Sequence, residues 1–182
     1  MIEIRIHGRG GQGAVTTGQI MAIAAFYDNK YSQTFPFFGV ERSGAPVEAF
    51  VRIDKTPILV RSHVYKPDIV IVLDPSLLHA INVTEGLKEK GVIIINTSKN
   101  QKELKIKGNF QVHTVDATAV ALKIFNAPII NTAVLGAFSA VTKAVSLKSL
   151  QKAIDEKFAS SKGKAVADLN KKAVKEVFDL TH

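Results

Sequence analysis

Apolar and polar residues alternate from the first positions of the chain. Ile2, Ile4 and Ile6 alternate with Glu3, Arg5 and His7, which predicts a strand with one buried face. Residues 14–27 contain no proline, and Val15, Ile20, Met21, Ile23, Ala24 and Phe26 give apolar cover on most sides, which predicts a well-buried helix. A second strand is expected over 31–35, ending in an aromatic stretch that starts a loop over 36–46. Val47, Ala49, Val51 and Ile53 alternate with Glu48, Phe50 and Arg52, so another strand follows. A turn at 54–57 leads to a short return strand expected at 58–60, with local antiparallel pairing among these pieces.

The pattern then changes. Residues 69–72 and 92–95 are unbroken runs of Ile and Val, as in parallel strands covered on both faces. A mixed helical segment is expected between them, over 77–90. A shorter strand at 110–115 is followed by a helix at 117–125 with Asp116 as its N-cap. Asn131 or Thr132 is expected to cap a helix of small residues at 133–144, whose Gly136, Ala137, Ser139 and Ala140 allow close packing onto the sheet. Ser146 caps a helix at 147–158, and apolar residues at helical spacing mark a last one at 164–180. Alternating strands and helices indicate a single α/β domain over 1–182: a three-layer, Rossmann-like arrangement around a mostly parallel mixed sheet.

Between the first strand and helix lies Gly8-Arg9-Gly10-Gly11-Gln12-Gly13. Its glycines permit a sharp turn and close backbone approach, and a helix N-terminus presents N–H groups to an anion. Gly10, Gly11, Gln12 and Gly13 are therefore candidate anion-binding residues; the alternative is a turn that only lets helix and strand pack closely. The spacing of Gly8, Gly10 and Gly13 fits a dinucleotide fingerprint, but no carboxylate ends the second strand to hold a ribose. That speaks against a free-standing NAD(P)-binding oxidoreductase. Ligands in such sheets gather at the carboxyl ends of strands. Here those ends are the loops at 8–13, 36–46, 74–76, 96–98 and 116–118. The loop with Glu41, Arg42, Ser43 and Gly44 thus shares one end of the sheet with the glycine turn. Arg42 suits a phosphate or carboxylate, while an exposed turn with an ordinary ion pair is the alternative.

Composition removes several classes. There is no cysteine, so the chain holds no disulfide, cysteine-ligated zinc or iron–sulfur cluster. The five histidines show no metal-ligand spacing; His7, beside the turn, is expected to be a hydrogen-bonded structural residue. No nucleophile elbow and no phosphate-binding P-loop occur. No catalytic set is complete. The charge of +8 has no nucleic-acid motif beside it and is assigned to a solvated basic face or acidic partners. No apolar run reaches the length of a membrane span, and the expectation is a cytoplasmic protein.

Four ordered segments carry a resemblance. They are Gly8-Arg9-Gly10-Gly11-Gln12-Gly13, Phe38-Gly39-Val40-Glu41-Arg42-Ser43-Gly44-Ala45-Pro46-Val47, Asp74-Pro75-Ser76-Leu77-Leu78 and Asn131-Thr132-Ala133-Val134-Leu135-Gly136-Ala137. Together they resemble the gamma subunits of 2-oxoacid:ferredoxin oxidoreductases, nearest the pyruvate/2-oxoisovalerate branch. Ser43 stands where many relatives carry the first of two glycines. The resemblance implies oxidative decarboxylation of a 2-oxoacid with CoA to acyl-CoA and carbon dioxide, with electrons passed to ferredoxin. It also implies alpha, beta and delta partner subunits. Thiamine diphosphate and iron–sulfur clusters would sit on those partners. This chain would be an accessory subunit that helps enclose CoA.

Overall fold

The computed structural model describes residues 1–37 and 44–181. The elements run β1 (Ile2–Arg9), α1 (Ala14–Tyr27), β2 (Tyr31–Phe37), β3 (Pro46–Asp54), β4 (Ile69–Val72), α2 (Leu77–Ala80), β5 (Val92–Asn96), a short 3-10 helix (Gln101–Leu104), β6 (Gln111–Val115), α3 (Ala117–Phe125), α4 (Val134–Thr142), α5 (Leu147–Phe158) and α6 (Lys164–Leu180). The strands form one mixed sheet in the order β2-β3-β1-β4-β5-β6. β1, β4, β5 and β6 are parallel. β3 is antiparallel to both β1 and β2, as its closeness in sequence predicts. β4 is buried at every position, as its unbroken apolar run requires.

The two faces of the sheet are covered unequally. Ile4, Ile6, Ala49, Val51, Ile71 and Ile94 point to one face and share a continuous core with α1 and α3 to α6. On the other face, Val70, Val72, Ile93 and Ile95 pack against Leu77, Val83 and Leu87, from α2 and the irregular chain that follows it. The layer on that side is thin. Over β1 and β3 it is held by buried arginines. Arg52 is fully buried; it donates to Glu3 Oε1 (2.9 Å), Gln33 Oε1 (3.1 Å), Ser62 O (2.7 Å) and His63 O (3.2 Å). Arg5 donates to the carbonyl oxygens of Val83 and Glu85. The polar positions of β1 and β3 therefore point to a covered face, where hydrogen bonding to the guanidinium offsets its burial.

That layer accounts for two corrections. Residues 58–60 form no strand, because both edges of β3 are already taken by β1 and β2 and the segment crosses the sheet face instead. Residues 77–90 form only the single turn of α2. Ile81 is extended, and the Thr84 hydroxyl donates to Asn82 Oδ1 (2.9 Å), the local side-chain bonding that competes with a helix. β2 runs through Pro36, beyond the expected end at 35, since an edge strand tolerates a residue without an N–H.

Of the helix caps expected on the thick face, those of α3 and α5 form and that of α4 does not. Asp116 Oδ1 accepts from Ala119 N (2.8 Å) and Ser146 Oγ from Ser149 N (3.1 Å). α4 begins without a side-chain cap, and its expected caps are occupied elsewhere. Asn131 Oδ1 accepts from Thr132 N, and the Thr132 hydroxyl donates to Asn170 Oδ1 on α6. The closest approach of α4 is also to α6: a Cβ on Gly136 would lie 2.2 Å from Val174 O. Its small residues thus let two helices touch as well as serving the sheet.

Candidate functional site

The carboxyl ends of β1, β4 and β5 open into a crevice of about 370 Å³. Gly11 and Gln12 line it from the glycine turn, Leu73, Asp74 and Pro75 from the end of β4, and Asn96 from the end of β5. The segment 128–131 closes one side.

The turn is built by specific bonds. Gln12 Oε1 accepts from Arg9 N (2.8 Å) and Gln12 Nε2 donates to Asp74 Oδ2 (2.8 Å). Gln12 is thus a brace between the turn and β4. Gly10 N donates to Ala45 O (2.9 Å), and Arg9 NH1 donates to Gly44 O (3.0 Å). These two bonds join the glycine turn to the C-terminal end of the loop before β3, so the two loops meet as the strand-end rule requires. Gly44 is left-handed, with φ +80°. Glu41, Arg42 and Ser43 lie outside the described residues.

Gly13 precedes α1 in a left-handed conformation, φ 80° and ψ 28°. A Cβ there would lie 2.6 Å from Asn131 Nδ2. Backbone angle and space both demand glycine. Asn131 O in turn accepts from the buried Thr17 hydroxyl (2.7 Å), which fixes the segment before α4 against the first turn of α1. Helix α1 has no acidic residue in its first turn to offset the positive end of its dipole.

The other strand ends are tied together as firmly. Asn96 is buried; its amide donates to Leu73 O (3.0 Å) and Thr118 Oγ1 (3.0 Å), and its Oδ1 accepts from Thr118 N (3.2 Å). One side chain therefore joins β4, β5 and α3 beneath the crevice. Asp74 is its carboxylate. Desolvation pushes that carboxyl up, but the bonds from Ser76 and Gln12 and the charge of Arg9 outweigh it, and the result lies below the usual value. Oδ1 accepts from Ser76 N and the Ser76 hydroxyl, and Arg9 Nε lies 3.3 Å from Oδ2. Asp74 makes this local turn. Its charge is matched within the chain, so an anion in the crevice does not meet a bare carboxylate.

His7 departs from expectation. It is 1% exposed, and neither ring nitrogen makes a directed hydrogen bond among the described residues; Nδ1 lies 3.3 Å from Glu48 Oε1. Burial first, then the neighbouring Arg5 charge, lowers its pKa to about 3. It stays neutral at pH 7. Among the described residues no cluster of three or more His, Asp or Glu is placed to hold a metal ion. No helix among them is long and apolar enough to cross a membrane.

The profile of the family described as pyruvate ferredoxin/flavodoxin oxidoreductase matches residues 3–180. The chain belongs to that family. It is 53% identical to the pyruvate/ketoisovalerate oxidoreductases common subunit gamma of Thermococcus kodakarensis, over all of this chain and 97% of the relative. The crystal structure of pyruvate oxidoreductase subunit PORC from Thermotoga maritima superposes with a TM-score of 0.84 at 39% identity, covering 98% of this chain and 95% of that one. The fold also recurs within the 2-oxoglutarate:ferredoxin oxidoreductase of Magnetococcus marinus, solved with 2-oxoglutarate, coenzyme A and succinyl-CoA. There the TM-score is 0.82 at 19% identity, over 99% of this chain and 31% of the larger one.

The gamma-subunit reading of the sequence therefore holds. The chain is one subunit of a multi-subunit oxidoreductase, and the free-standing NAD(P) alternative finds no support among its relatives. β2 carries no carboxylate along its length, in keeping with that outcome. What the sequence did not mark was the part played by Asn96 and the 128–131 segment, whose meeting depends on the tertiary fold.

Proposed function

We propose that this gamma subunit packs on alpha, beta and delta subunits and lends its strand-end crevice to CoA during oxidative decarboxylation of a 2-oxoacid, pyruvate first among them. Thiamine diphosphate and the iron–sulfur clusters sit on the partner subunits, and electrons leave to ferredoxin. The complex works in the cytoplasm. The absence of cysteine from this chain agrees with that division of labour.

The observation that carries the CoA assignment is the glycine turn lining a crevice in which the Asp74 carboxylate is paired with Arg9 and hydrogen-bonded by Gln12 and Ser76. The first N–H groups of a helix have no partners within it. Together with the N–H groups of Gly11 and Gly13 and the guanidinium of Arg42, they suit the diphosphate of CoA. Gly10 gives its N–H to Ala45 and acts through the shape of the turn; Gln12 acts as its brace. Glu41, Ser43 and Gly44 flank Arg42 in sequence.

A charge-assisted contact is worth about 1.5–3 kcal/mol. Arg42→Ala in the assembled enzyme is therefore expected to raise KM for CoA roughly ten-fold or more, leaving KM for the 2-oxoacid unchanged. Arg42→Lys recovers only part, since lysine lacks the planar fork. An assembled Arg42→Ala enzyme with unchanged CoA dependence removes Arg42 from the site. Failure to assemble makes the loop a subunit contact.

A further inference from the structure

A second concavity, of about 330 Å³, lies on the thinly covered face of the sheet and shares no lining residue with the strand-end crevice. Its walls are aromatic. Phe37, Phe50 and Tyr65 line it, and the His63 ring packs edge-on against Phe37 with centroids 5.0 Å apart. Its charge is acidic. Glu48 and Glu85 line it against one buried guanidinium, Arg5, which is already committed to the carbonyl oxygens of Val83 and Glu85. Glu48 accepts no hydrogen bond from a described residue; the neutral His7 lies 3.3 Å away, and the Arg5 charge acts on the carboxylate without forming an ion pair with it. Burial raises its pKa in spite of the opposing Arg5 charge.

The rim is unlike an ordinary surface. Tyr65 is 72% and Phe37 46% exposed, and Leu59 nearby in the same crossing segment is 87% exposed. β2, which supplies Phe37, is an edge strand with no charged residue along it. Exposed aromatic groups around a half-buried carboxylate with no Lys or Arg ion-paired to it among the described residues are features of a protein interface. Aromatic faces beside a carboxylate suit a guanidinium or ammonium. The same aromatic layer already takes one such group from within the chain: Arg52 Cζ lies 5.4 Å from the Phe35 ring centroid.

We propose that this pocket receives an arginine or lysine side chain from another subunit of the oxidoreductase, its aliphatic stem against Tyr65 and Phe37 and its charge on Glu48. The occupant follows from the charge of the pocket and from membership of a multi-subunit family. The proposal is independent of the CoA assignment.

Two substitutions test it on the complex assembled from co-expressed subunits. Glu48→Gln removes the charge at constant shape. Tyr65→Ser removes a wall that is mostly solvent-exposed and touches no part of the crevice. Each is expected to raise the dissociation constant of this subunit from the rest of the complex at least ten-fold, and Glu48→Gln to flatten its salt dependence. Circular dichroism of each isolated variant should match wild type. Wild-type affinity in either folded variant overturns the proposal; if Glu48→Gln does not fold, Tyr65→Ser decides alone. A dimer of the isolated chain that both variants dissociate would assign the pocket to a second copy and also overturn it.

Discussion

His7 shows how one buried group governs the acid response. Its folded-state pKa near 3 lies below the ordinary histidine value of 6.5, so below about pH 6.5 the unfolded chain binds a proton that the native chain refuses. Stability must then fall by about 1.4 kcal/mol for each pH unit down to the folded value. Glu48 works in the opposite sense. Its pKa is raised by burial, so the folded chain gains its proton more readily, and acidification through that range returns some stability. The contribution of His7 is isolated by comparison with His7→Gln. Denaturant midpoints of wild type should slope more steeply than those of the variant between about pH 6 and 4, by close to one proton. Parallel curves would mean that His7 is not held neutral. The alternation of β1 signalled that His7 and Arg5 share a face, but it could not show that the face is covered, because the cover comes from residues 58–65 and 77–88.

At the level of elements, the legible parts were those whose partners are set by local pattern. β4 and β5 announce themselves as continuous apolar runs, and α5 and α6 by helical spacing with a serine cap on α5. The glycine turn was legible for the same reason, since Gly13 needs a left-handed angle whatever surrounds it. Residues 58–60 and 77–90 were misread because their fate depends on which strand edges are free and on where Arg5 and Arg52 reach. The site was half legible for a similar reason. The turn is contiguous, whereas Asp74, Asn96 and Asn131 meet only when two strand ends and the segment before α4 are brought together. α4 offers a test of packing at this level. A Cβ on Gly136 would sit 2.2 Å from Val174 O and 2.6 Å from Phe178 N, both backbone atoms of α6. Gly136→Ala gains helix propensity of up to about 1 kcal/mol. Overpacking costs typically 1–3 kcal/mol, and here the obstacle is rigid backbone, so loss is expected to win. Equilibrium denaturation should show the variant about 1–2 kcal/mol less stable; an equal or greater stability would mean that the two helices are less tightly apposed.

The whole molecule offers a braced crevice at one end of a sheet and an aromatic and acidic pocket on its thin face. Both features make sense for a chain that acts beside others. The thick face is closed over by helices, while charged and exposed aromatic groups collect on the side where the fold has little cover of its own. The central claim is that this subunit contributes binding and assembly while the redox chemistry resides elsewhere. The direct measurement is pyruvate- and CoA-dependent reduction of a viologen dye, made anaerobically on the purified chain and on the complex reconstituted with its partner subunits. The account predicts no turnover by the chain alone, none by the partners without it at low CoA, and activity on reconstitution. Turnover by the purified chain alone would contradict it.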